Sequence, residues 1–205
     1  AEDGIRNLRM ARGLGDVYKR QEKALDKLRG MFGFAVWNEK EQTLMLARDF
    51  FGIKPVYYAE IDGHFVFASE IKSILAFPGY ERKVNQKALE QYLSFQYSPL
   101  EETFFKGIYK LMPGHMLLYK NGSYEIKTYF KPKLTPGQWD HKTNMAQLRS
   151  QLSEILKDSV KHHMLSDVEV GAFLSGGVDS GYLASSSGAD QAFTVAVSYT
   201  HLTLP

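Results

Sequence analysis

Between residues 131 and 143 the hydrophobic pattern of this 205-residue chain changes period, and that switch constrains its fold more than any other feature. Upstream, apolar residues fall in short runs separated by turn signals, the pattern of β-strands. Downstream, Met145, Leu148, Leu152, Ile155, Leu156, Val160 and Met164 recur every three or four residues. That spacing predicts one apolar stripe on a helix of about 20 residues. The stretch between is polar and aperiodic, and Pro132, Pro136 and Gly137 punctuate it, so 133–143 reads as a linker between two domains. The expected class is α+β followed by α/β.

Within the first part, Ala24, Leu25 and Leu28 suit the end of a helix that Gly30 stops. Residues 31–38 and 43–49 read as a hairpin across 39–42. Phe50 to Pro55 is a turn, with Gly52 supplying backbone freedom and Pro55 fixing φ. Strands at 56–60 and 64–68 join at Asp62-Gly63, and strands at 115–119 and 124–130 join at Asn121-Gly122; both dipeptides are strong hairpin signals. Ser69 is expected to cap a short helix over 69–76, and Asn85 a longer one over 86–97. Residues 103–107 read as a short turn or helix.

Composition narrows the function classes. The chain has no cysteine, which excludes disulfides, Cys-type zinc sites and thiol nucleophiles, and fits a reducing compartment. No apolar run reaches the roughly 18 residues of a membrane span, and no apolar signal segment opens the chain. The net charge of +2 sits wholly in residues 1–21, which hold Arg6, Arg9, Arg12, Lys19 and Arg20 against Glu2, Asp3 and Asp16. Five dispersed basic residues are too few for a polybasic arm, so neither nucleic acid nor a membrane is an expected partner. Residues 1–21 resemble the translation of a sequencing-library adapter, and 197–205 resemble the matching artefact at the other end. Both are set aside from fold reasoning, which implies that the natural termini are missing.

The chemistry concentrates in Ser175-Gly176-Gly177-Val178-Asp179-Ser180. The hexapeptide follows an apolar run, 168–174, that predicts a buried-type strand, and it opens a segment, 181–187, with helical potential. A turn at a helix N-terminus aims backbone N–H groups and two hydroxyls at one point, where the helix dipole favours an anion. Glycines at 176 and 177 let the backbone approach phosphate oxygens closely. The loop lacks the lysine of GxxxxGK[ST], so transfer of a γ-phosphoryl group is not its task. Stabilising pyrophosphate as a leaving group, with magnesium, suits it better. The plainer alternative is a Gly-rich turn in which Asp179 caps a helix.

SGGVDS after VGAFL resembles the pyrophosphate loop of the ATP pyrophosphatase superfamily. The preceding segments LRGMFGFAVWN, LARDFFGIKPVYY, FVFASEIKSIL, YLSFQY and FKGIYKLMPGHMLLY resemble the glutamine-hydrolysing asparagine synthetase family, in the family's order, from about residue 22 to 195. The resemblance implies the C-terminal part of an Ntn-type αββα glutaminase sandwich over 22–132. It implies the start of a parallel-sheet, ATP pyrophosphatase-like synthetase domain over 144–196. In such enzymes ammonia from glutamine passes through a tunnel to the second domain, where ATP and aspartate form β-aspartyl-AMP. By the same resemblance, Ser175, Gly176, Gly177, Asp179 and Ser180 hold the pyrophosphate portion of ATP with Mg2+, and Leu174 and Val195 contact the nucleoside. It further implies a cytoplasmic enzyme with aspartate, glutamine and ATP as substrates, and a homodimer as a possible assembly. The family's nucleophilic cysteine is absent from this chain, so the isolated polypeptide is expected to be inactive. Two alternatives stay open: another amide-forming synthetase of the superfamily, such as a β-lactam or lasso-peptide cyclase, and a non-catalytic anion-binding module.

Other residues invite weaker readings. Arg48-Asp49 reads as a turn held by a local charge pair. Adjacent His162 and His163 diverge by about 100° on a helix and cannot share a metal as an i, i+4 pair does. His64 and His115 lack ligand partners at suitable spacing. Glu70 and Glu102 form no recognisable acid pair. Phe32, Phe34 and Trp37 read as sheet core, because a base-stacking platform needs interleaved basic residues. Trp139, in the linker, has no assigned role.

Overall fold

A computed structural model describes residues 25–133 and 144–195. The chain divides into two compact units that meet between Lys133 and Leu134. Trp139, most of the linker and both adapter-like ends lie outside the described residues.

The first unit contains two antiparallel sheets. One has the order β1-β2-β6-β7, from β1 (Gly33–Asn38), β2 (Thr43–Arg48), β6 (His115–Lys120) and β7 (Ser123–Thr128). The other has the order β4-β3-β5, from β3 (Tyr57–Ile61), β4 (His64–Ala68) and β5 (Ile108–Lys110). Asp62 and Asn121 take φ of 48° and 52°, the left-handed turn geometry that their dipeptides predict for the β3–β4 and β6–β7 hairpins. Side chains alternate across a strand, so β2 serves two cores. Leu44 and Leu46 point inward and cluster with Leu117, Val56, Tyr58 and Leu111, closing the space between the sheets. Ala47 faces the other way, with Met116, against Leu25 and the partly buried Leu28, Phe32 and Phe34. Every residue of β2 is buried, which is why its sequence reads as a continuous apolar run rather than an alternating one. Over the second sheet, α1 (Ile71–Leu75) inserts Ile74 among Ala59, Ile61 and Ile108. A further helix, α2, spans Gln86–Phe95.

Several expectations need correction here. Ser69 does not cap α1: pairing of Tyr57 with Ala68 holds β4 extended to its end, and the helix begins after Glu70 with no side-chain cap. Asn85 does occupy the N-cap position of α2, but its Nδ2 donates to Glu102 Oε2 at 2.8 Å and makes no capping bond. β5 has no counterpart in the sequence reading; at three residues it is too short to carry a period. Trp37 is 49% exposed, with its indole N–H donated to Glu39. It pairs with Leu44 on the inward side of β1, yet β1 is an edge strand and the residue stays half-exposed there.

The second unit contains α3 (Met145–His163), whose N-cap Asn144 accepts from the N–H groups of Ala146 and Gln147. Two short parallel strands, β8 (Ala172–Phe173) and β9 (Ala192–Phe193), flank α4 (Val178–Ser187). The helix α4 lies against α3 and β8, and Tyr182 Oη meets Ser153 Oγ at 3.4 Å. The strand expected over 168–174 shrinks to Ala172–Phe173, and its apolar residues are not buried: Val168 is 76% and Phe173 83% exposed. A parallel strand buries such a run only when both faces are covered, and the described residues do not provide that cover. The α3 stripe divides likewise: Val160 is buried, whereas Met145, Leu152 and Ile155 stay exposed. Among the described residues, no helix is long and apolar enough to cross a membrane.

Candidate functional site

The SGGVDS segment forms the connection from β8 into α4. Gly176 takes φ +83°, a conformation that side chains with a Cβ rarely adopt, and the space where its Cβ would stand is open. Gly177 is the N-cap of α4 with extended dihedrals, φ −79° and ψ 162°. The N–H groups of the following turn have no intrahelical partner by construction. Asp179 sits in that first turn and is exposed, so it is not the cap.

Hydroxyls close the loop on itself. The Ser175 N–H donates to Ser180 Oγ at 3.2 Å, the two serine hydroxyls lie 3.0 Å apart, and Ser180 Oγ donates to the Gly177 carbonyl, also at 3.0 Å. The same carbonyl accepts the Gly181 N–H at 3.0 Å. Sequence reasoning found these six residues but not this closure, because nothing in the spacing alone specifies which hydroxyl faces which.

The remaining expected site residues lie at the ends of the parallel strands. Leu174 directly follows β8 and extends the ladder through its N–H to the Phe193 carbonyl at 2.8 Å. Val195 lies two residues past β9 and is 84% exposed. The register pairs Phe173 with Phe193, so Leu174, the loop and Val195 all lie beyond the carboxyl ends of the strands. In open α/β sheets ligands bind at that end. A hollow of about 410 Å³ lies at the opposite, amino end, lined by Met164, Val168, Glu169, Asp190 and Phe193 among others. The sequence reading did not anticipate it.

Chemically, the loop offers backbone and hydroxyl donors to an anion, and Asp179 offers carboxylate oxygens of the kind that suit Mg2+. The residues present therefore fit a magnesium polyphosphate. Among the described residues, no three His, Asp or Glu side chains gather as a metal cluster. The ring nitrogens of His162 and His163 each face a backbone carbonyl one turn back, at 2.7 and 2.8 Å. His115 is held between the Pro113 carbonyl and Thr128 Oγ1.

Among the described residues, Arg48 and Asp49 form the most densely bonded polar site, and it differs from the expected local charge pair. The Arg48 guanidinium donates to the carbonyls of Lys54, Leu111 and Gly52 at 2.6–2.8 Å. The Asp49 carboxylate accepts from the N–H groups of Phe32, Phe51, Ile53 and Lys54 at 2.9–3.3 Å. Tyr129 adds its hydroxyl to the Arg48 carbonyl at 2.5 Å. Both charges thus hold backbone from distant segments. Gly52, at φ +68°, fits only as glycine, since a Cβ would stand 2.7 Å from the Pro113 ring. Burial pushes the Asp49 carboxyl up, but the four backbone donors outweigh it and hold it below the usual carboxylate range. Burial also lowers Arg48 and raises the Tyr129 hydroxyl. With every atom tied to backbone, this cluster is architectural.

Comparison with known proteins adds the wider context. Residues 16–130 match the model of a glutamine amidotransferase domain, and residues 151–201 match that of asparagine synthase. The matches extend into the adapter-like stretches through residues 16–21 and 197–201. The chain is 42% identical over 166 residues to asparagine synthetase (glutamine-hydrolyzing) 1 of Bacillus subtilis, covering 80% of this chain and 26% of the relative. It is 36% identical over 168 residues to a putative asparagine synthetase (glutamine-hydrolyzing) of Mycobacterium tuberculosis, with the same two shares. Amidase chyE of Penicillium rubens is 35% identical over 162 residues, covering 78% of this chain and 23% of that protein. The chain thus spans about a quarter of the length of these curated relatives.

Proposed function

The chain belongs to the glutamine amidotransferase domain family and continues into an asparagine synthase segment, and from that premise we propose that it is part of a glutamine-dependent carbon–nitrogen ligase that amidates aspartate at the expense of ATP. The observation that carries the reading is the strand–loop–helix at 172–187, where SGGVDS lies beyond the carboxyl end of β8 within the asparagine synthase match. In this reading Ser175, Gly176, Gly177, Asp179 and Ser180 receive the pyrophosphate portion of ATP, and Leu174 and Val195 flank the nucleoside. Asp179, the carboxylate of the loop, would hold a magnesium ion carried by the nucleotide, and that ion would supply charge neutralisation for pyrophosphate as a leaving group. The two facing sheets, with Leu25 on one outer face and Ile74 on the other, support an Ntn-type αββα layering for 22–132. A linker at 133–143 and a parallel-sheet synthetase domain from 144 complete the organisation, in a cytoplasmic enzyme able to assemble as a homodimer.

The test is an assay of the whole protein with glutamine, ATP and aspartate. Release of pyrophosphate that depends on aspartate, with asparagine as product, is the expected result. Pyrophosphate release that ignores aspartate would redirect the reading to another acyl acceptor. The 205-residue chain alone, having no cysteine thiol, should show no glutaminase turnover.

A further inference from the structure

We propose that Asn121 is a site of spontaneous deamidation, a covalent modification of the β6–β7 turn. Asn121 and Gly122 form the two-residue connection between the register partners Lys120 and Ser123, both at positive φ, 52° and 76°. Both residues are exposed.

Three other described asparagines have their side chains engaged. Asn38 Oδ1 accepts from the N–H groups of Lys40 and Glu41, Asn85 Nδ2 donates to Glu102, and Asn144 Oδ1 accepts from Ala146 and Gln147. Asn121 has no such restraint, and among these four it alone precedes glycine. Nothing beyond the chain neighbours stands within 4 Å of where a Gly122 Cβ would be, so no other segment crowds that side of the turn.

The chemistry balances with water alone. The Gly122 nitrogen, after giving its proton to solvent base, attacks Asn121 Cγ; the new N–C bond closes a cyclic imide, and the Cγ–Nδ2 bond breaks to release ammonia. Water then opens the imide at Cγ to give aspartate, or at the Asn121 main-chain carbonyl to give isoaspartate. Isoaspartate carries the main chain through the former side chain and lengthens the turn, and turn geometry sets hairpin register. The β3–β4 turn is an internal control. Asp62-Gly63 has the same backbone hand, φ 48° and 78°, but its side chain has no amide nitrogen to lose and so shows no such mass change.

The test is peptide mass mapping of the folded chain, aged at neutral and mildly alkaline pH. The peptide containing Asn121 should gain the mass difference between –NH2 and –OH and resolve into aspartyl and isoaspartyl forms, faster at the higher pH. Peptides with Asn38, Asn85 and Asn144 should stay unchanged, and Asn121→Gln should abolish the shift. An unmodified Asn121 peptide, equal conversion at the other three sites, or conversion only in denaturant would each overturn the proposal.

Discussion

The two units differ in where their rigidity comes from. In the first, Met45, Leu46, Met116 and Leu117 are fully buried, and charged groups reach across the chain to fix backbone, as Arg48 does to the Leu111 carbonyl. In the second, Phe173, Val178 and Val195 are each more than 80% exposed, yet the SGGVDS loop is closed by hydrogen bonds among its own six residues. The first unit's geometry is therefore a tertiary property and the loop's is a local one. It follows that a core substitution should damage the first unit broadly, while the loop should respond mainly to changes within it.

The largest expected effect is Asp49→Ala. It strands four backbone donors and leaves Arg48 without its neighbouring charge, so a loss of about 3–5 kcal/mol is expected in urea unfolding of the first unit. Unchanged unfolding would break the contrast, because the unit's rigidity would then not depend on that cluster. Next comes the paired comparison of Leu117→Ala with Ile155→Ala. The first opens a cavity between the sheets and should cost about 2–5 kcal/mol; the second removes an exposed side chain and should stay within about 0.5 kcal/mol. Equal costs would show that Ile155 is covered in solution.

Acid should separate the units as well. The folded Asp49 carboxyl lies below its ordinary value of 3.8, so its contribution to stability is present above that value. It is lost as pH falls through the lower, folded value. Acid unfolding of the first unit should therefore flatten in Asp49→Asn, and an unaltered acid transition would sink that assignment. The most local effect is expected from Gly176→Ala. Forcing a Cβ into φ +83° costs about 1–2 kcal/mol locally, so pyrophosphate binding by calorimetry should weaken while first-unit unfolding stays as in the parent. A pyrophosphate affinity equal to the parent's would mean that the loop does not need this geometry.

Much of this was legible beforehand where the determinants are short in range. Asp62-Gly63 and Asn121-Gly122 predicted two hairpins because positive φ is written into the residue types. The α3 stripe predicted a helix now seen over Met145–His163, and SGGVDS was placed at a strand–helix junction. The misses depend on distant partners. Asn85 faces Glu102 rather than its own helix, and Arg48 and Asp49 bind backbone more than they pair with each other. Trp37 reads as core in the sequence but lies on an edge strand.

By itself the sequence determined the switch from strand to helix period, the hairpin turns and the six-residue loop, because each follows from local dihedral preference and side-chain spacing. Only the tertiary structure decided that β2 pairs with β6, that β3 pairs with β5, and that the two sheets close over Leu46 and Leu117. It likewise decided that Asp49 gathers four backbone donors and that Ser180 closes onto Ser175. These arrangements require particular groups to meet within about 3 Å, and which groups meet is fixed by how whole strands and helices pack, not by the residue types in any one segment.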